Sequence, residues 1–87
     1  MSLLFFYNKL KNNQILDNLF VDYKIVDDGF VEFKNKNFKL YGKVVKINSE
    51  INEIVEIINK IQIINKLETI VVNNIFKNKK YTCYILL

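Results

Sequence analysis

The chain has no histidine and no proline, one cysteine, one methionine and two glycines. Each scarcity excludes something. Without histidine there is no imidazole base near neutral pH, and the usual zinc and copper ligand sets lack a principal member. A lone Cys83 cannot close an internal disulfide, so nothing ties the chain to an oxidising compartment. Gly29 and Gly42 are too few and too far apart for a glycine-rich phosphate loop. All thirteen basic residues are lysine. Bidentate contacts to guanine or phosphate favour arginine, so its absence argues against a nucleic-acid reader. No apolar run reaches the roughly 20 residues of a membrane-spanning helix. The N-terminus lacks the basic start and small-residue cleavage site of a secretory signal. A soluble, intracellular, cytoplasmic chain is expected, with no membrane attachment, no metal and no cofactor.

What is present points to a dense small fold. Eighty-seven residues make one domain, 1–87, with little margin of stability. A hydrophobic fraction of 51%, with seven Phe and five Tyr, supplies a core. A charged fraction of 25% is ordinary for a globular protein. The abundance of Lys, Asn and Ile marks an AT-rich coding sequence, which concerns the genome and not the chemistry. Net charge is +4. Lys34, Lys36, Lys39, Lys43 and Lys46 could form a basic stripe, and Lys77, Lys79 and Lys80 a basic loop tip. The plainer reading of both is a solvated surface.

Leu3 to Tyr7 is an unbroken apolar run of strand length. Ile15, Leu16, Leu19 and Phe20 predict a short helix over 12–20. Val21 to Val26 reads as a strand, Asp27-Asp28-Gly29 as a turn, and Phe30, Val31 and Phe33 as the start of another strand. After a polar reversal over 34–37, Phe38, Leu40, Gly42 and Val44 mark a further strand. Its glycine predicts a bulge or a close backbone approach. Ile51, Ile54, Val55, Ile58 and Ile61 form one helical face, capped by Asn48 or Ser49, with Glu50 and Glu53 in the first turn. Leu67 to Val72 and Tyr81 to Leu87 are strands joined by a hairpin loop over 73–80. The predicted order is strand, helix, three strands, helix, two strands. The expected class is α+β: a small mixed curved sheet or barrel flanked by two helices.

Candidate chemistry is sparse. Cys83 has no partner base and alternates with Tyr81 and Ile85, which reads as a packed cysteine. Glu32 and Glu68 are single acids within strands. Elimination leaves two places, the strand-end loop Phe6-Tyr7-Asn8-Lys9-Leu10 and the helix end Ile58-Asn59-Lys60-Ile61-Gln62.

These two motifs, and the order of elements, resemble the gamma-glutamylcyclotransferase-like proteins, including the plant avirulence-induced type (AIG2-like). That family opens with an apolar strand followed by Tyr-Gly-Ser/Thr-Leu. It continues with a strand of the type Gly-x-Val/Leu-Tyr-x-Ile/Val, matched here by Gly42-Lys43-Val44-Val45-Lys46-Ile47. Its later helix ends in Leu-Asp-x-x-Glu. The resemblance implies a barrel with a cavity at one end, whose first loop holds a glutamyl group. The helix-end Glu takes a proton from the substrate's α-amino group, which attacks the γ-carbonyl and releases 5-oxoproline. By this resemblance Tyr7, Asn8, Lys9 and Leu10 are the ligand-binding residues. Here Asn8 replaces the family's Gly, Lys9 its Ser or Thr, Asn59 its Asp and Gln62 its catalytic Glu. A carboxamide has no useful basicity near pH 7.

The expectation is a degenerate, inactive cyclotransferase-like module. It would bind a small γ-glutamyl-like or anionic ligand, or a protein. One alternative is an active enzyme with Glu68 as substitute acid. Another is an unrelated assembly protein of an AT-rich virus or microbe, self-associating through the edge of its C-terminal strand.

Overall fold

The computed structural model describes residues 1–87 except Lys34, Lys36 and Ile75. The described residues form an α+β fold of five strands and two helices. In order these are β1 (Ser2–Phe6), a 3₁₀ turn (Lys9–Lys11), α1 (Asn13–Leu19), β2 (Tyr23–Phe33), β3 (Phe38–Ile47), α2 (Ile51–Ile58), β4 (Leu67–Asn74) and β5 (Lys79–Leu86). The strand order is β1-β3-β2-β4-β5, and the sheet closes into a barrel. Pairing is antiparallel throughout except at the closure, where β5 meets β1 in parallel through Leu4 and Tyr84.

Two strands expected on either side of an Asp27-Asp28-Gly29 turn are one strand, β2. Neither glycine has positive φ, and Gly29 pairs with Gly42 across the β2–β3 ladder. Gly29 is needed for space instead. A Cβ there would sit 2.5 Å from Val72 Cγ1 and 3.0 Å from the Asn73 carbonyl oxygen on β4. Gly42 makes the expected close backbone approach, to β1. The bulge lies instead in β2, between Ile25 and Asp27. Of the polar reversal over 34–37, Asn35 and Asn37 are turn residues and Asn37 has φ 49°. Lys34 and Lys36 lie outside the described residues.

Strand alternation sorts the apolar side chains into two cores. Phe5, Val31, Val44, Val72, Cys83 and Ile85 fill the barrel interior. Leu4, Phe6, Val45, Ile47 and Leu86 face outward and cluster with Leu10, Leu16 and Phe20 from the first helical segment and Ile54 and Ile58 from α2. The helices thus cover part of the barrel wall. The outer surface of β2 and β3 around Phe30 and Tyr41 has no such cover.

Local chemistry sets the helix ends. Asn12 caps α1, its Oδ1 accepting from the amides of Gln14 and Ile15. The expected Asn48 or Ser49 cap of α2 is not used, and Glu50 occupies the cap position without a side-chain bond. Asn48 instead donates to Asp22, and the Ser49 carbonyl accepts from the Ser2 hydroxyl. Helix α2 stops at Ile58, so Ile61 is 41% exposed rather than part of the buried face. Truncating the fully buried Ile54 to Ala is expected to cost about 2–5 kcal/mol. The same change at Ile61 should cost less than about 1 kcal/mol. Paired urea titrations check the contrast.

Strand β5 lies inside the sheet, between β4 and β1, with Ile85 and Leu86 buried. The C-terminal strand is therefore not the free edge considered for self-association.

Candidate functional site

The strand-end loop and the segment after α2 meet. Asn8 Nδ2 donates to Gln62 Oε1 at 3.4 Å, joining residues 54 apart in sequence. Asn8 is held by its own turn, its Oδ1 accepting from the Leu10 amide at 3.0 Å. Gln62 lies beyond the helix, in a turn where its amide donates to the Ile58 carbonyl at 3.1 Å. Asn59 Oδ1 accepts from the Ile64 amide at 3.2 Å and shapes the same turn.

The other candidates take separate roles. The Tyr7 hydroxyl donates to the Leu86 carbonyl at 3.1 Å, and its ring stacks on Phe5. Lys9 is exposed. Leu10 points into the core at 1% exposure, which removes its side chain as a ligand contact. Glu68 is exposed and pairs with Lys66 at 3.1 Å. Among the described residues no carboxylate hydrogen-bonds to Asn8 or Gln62. No family model, curated protein or solved structure matches this chain.

A second constellation went unread in the sequence because Asp27 looked like a turn residue. Asp27 belongs to β2 just after the bulge, and its side chain is 3% exposed. Its Oδ1 accepts from Asn74 Nδ2 at 2.7 Å, Lys77 Nζ at 3.1 Å and the Asp28 amide at 2.9 Å. Its Oδ2 accepts from the Tyr81 hydroxyl at 2.8 Å. Burial pushes this carboxyl up, but the bonds from Tyr81, Lys77 and the Asp28 amide outweigh it and hold it below its ordinary value. The bond to Asp27, then burial, pushes the Tyr81 phenol up. A carboxylate with four donors is a satisfied anchor and not a free base. It ties the β4–β5 hairpin to β2. Cys83, two residues beyond Tyr81 on β5 and buried, has its thiol pushed up to about 11 by burial and is no nucleophile at neutral pH. Among the described residues no three Asp, Glu or Cys side chains cluster as a metal site.

The third place is a groove of about 500 Å³ on the uncovered outer wall. Phe30, Tyr41 and the Gly29–Gly42 pair line it, with Lys43 and Asp28 at one side. Lys11 from the 3₁₀ turn and Phe76 from the β4–β5 hairpin also line it. Phe30 is shielded by the Tyr41 ring at 5.8 Å and by Lys39 Nζ, 4.7 Å above the ring. Tyr41 is 64% exposed and Phe76 fully exposed. Of the expected basic stripe, Lys43 thus borders the groove and Lys39 covers Phe30. Lys46 instead lines a different depression with Met1, Leu3, Lys24 and Tyr81.

Proposed function

We propose that this chain is a non-catalytic binding module on a degenerate gamma-glutamylcyclotransferase-like scaffold. The observation that carries this reading is the carboxamide pair, Asn8 with Gln62, where the resembled family has a loop facing a carboxylate base. Two amides can hold a turn or a ligand, but neither can accept the α-amino proton near neutral pH. Support also comes from the filled interior, where Phe5, Val44, Cys83 and Ile85 pack. Glu68 is engaged with Lys66 on the surface, which weighs against its service as a substitute base.

The purified protein is expected to release no 5-oxoproline from γ-glutamyl amines above the uncatalysed rate. Measurable turnover that disappears in Glu68→Ala would overturn the reading. Turnover appearing only in Gln62→Glu would support it, because it would show the proton acceptor to be the missing part.

A further inference from the structure

We propose that the groove between the β2–β3 wall and the β4–β5 hairpin binds single-stranded nucleic acid, with bases stacked on Tyr41 and Phe76 and phosphates on Lys11 and Lys43. None of these residues belongs to the Asn8–Gln62 pair, so this ligand does not depend on the cyclotransferase-like ancestry.

The first support is the placement of the rings. Phe76 is fully exposed, yet its turn is anchored on both sides. Asn74 donates to Asp27 and to the Asp28 carbonyl, and Lys77 donates from its ammonium to Asp27 and from its amide to Asn74 Oδ1. The Phe76 backbone is therefore pinned against β2 while its ring stands out in water. Tyr41 presents a second ring on the same groove, backed by Phe30. Bases stack on exposed aromatic rings, with gains of about 1–3 kcal/mol each.

The second support is charge. Lys11 and Lys43 line the groove and join none of the ion pairs among the described residues. Asp28 is the only acid in the lining. Net charge is +4, which favours a polyanion over a neutral ligand. A volume of about 500 Å³ falls within the range of sites that take molecules of nucleoside size, roughly 300–1,000 Å³. The absence of arginine, which argued against a nucleic-acid reader built on bidentate contacts to guanine or phosphate, leaves ring stacking and lysine–phosphate attraction as the available contacts. A duplex hides its base faces and cannot use the two rings, so single strands are the better match.

The test is fluorescence anisotropy at low salt with a fluorescein-labelled oligothymidylate of about 12 nucleotides, a length within single-strand site sizes. A duplex of equal length, polyglutamate and anionic lipid vesicles serve as competitors. The single strand is expected to bind best. Phe76→Ser and Tyr41→Leu should each weaken it about tenfold. Lys11→Gln with Lys43→Gln should flatten the log–log salt dependence by about 0.7 per lysine removed. Circular dichroism confirms that each variant is folded, and the fully exposed Phe76 supplies a variant with no packing role. Equal competition by duplex or polyglutamate would overturn the proposal, as would ring variants that bind like wild type. So would binding to vesicles alone, or no binding to the single strand.

Discussion

Replacing Gly42 with alanine is expected to abolish the native fold or leave it barely populated. The added methyl would collide with the backbone carbonyl oxygen of Phe6 and come within 2.8 Å of the Phe5 ring. Neither neighbour can yield cheaply. The Phe6 carbonyl belongs to β1, whose register with β3 runs from Ser2–Ile47 to Phe6–Lys43. The Phe5 ring is 1% exposed inside the barrel. Relief requires β1 to lift away from β3, which disturbs both cores because successive β1 residues serve opposite faces. Overpacking costs about 1–3 kcal/mol where side chains can adjust, and more where backbone must move. A chain of this length has roughly 4–13 kcal/mol of stability in total. Gly29→Ala should be milder, since the nearest atom is a Val72 methyl rather than backbone. Urea titration of both variants checks the order. A Gly42→Ala protein as stable as wild type would disprove the account.

Asp27→Ala is expected to lower the urea midpoint sharply at pH 7 and far less at pH 2. Removing the carboxylate leaves the Tyr81 hydroxyl and the Lys77 ammonium without their acceptor, and leaves Asn74 Nδ2 only the Asp28 carbonyl to donate to. The pH dependence follows from proton linkage. The folded carboxyl titrates below its ordinary value of 3.8. As acid is added, the unfolded chain therefore takes up the proton first. The stabilisation is complete above the unfolded value and is lost as pH falls through the lower folded one. The gap between wild type and variant should therefore narrow as pH falls below the ordinary carboxylate range. A gap of the same size at pH 2 and pH 7 would show that the carboxylate's charge contributes nothing.

Much of the architecture was readable wherever local and tertiary preferences agree. Helix α1 lies within the predicted span because Asn12 both caps it and precedes its apolar residues. Strand β3 follows its inward set Leu40, Gly42 and Val44. The meeting of Asn8 with Gln62 was legible as two motifs, though Gln62 lies in a turn beyond the helix. The misreadings have one physical origin. Turn chemistry is local, whereas Asp27, Asp28 and Gly29 answer to distant partners: Asn74, Lys77, Tyr81 and Val72. Nothing within several residues of Asp27 signals them. Likewise Asn48 and Ser49 were good local caps, but Asp22 and Ser2 engage them instead. The groove was beyond reach because Lys11, Tyr41 and Phe76 converge only once the sheet has closed.

The bulge in β2 carries one last consequence. Ile25 faces the helices, while Val26 and Asp27 both turn toward the interior, so Val26 is the extra residue in the ladder. An insertion of this kind bends a ribbon and tightens its twist. Here the bend matters because, among the described residues, β2 pairs with β4 through Phe30 and Asn73. Deleting Val26 is expected to straighten the ribbon and load that seam, leaving the Asp27 bonds to Asn74, Lys77 and Tyr81 to hold the hairpin against β2. A seam opened there would present vacant amides and carbonyls of the kind that recruit a neighbouring strand.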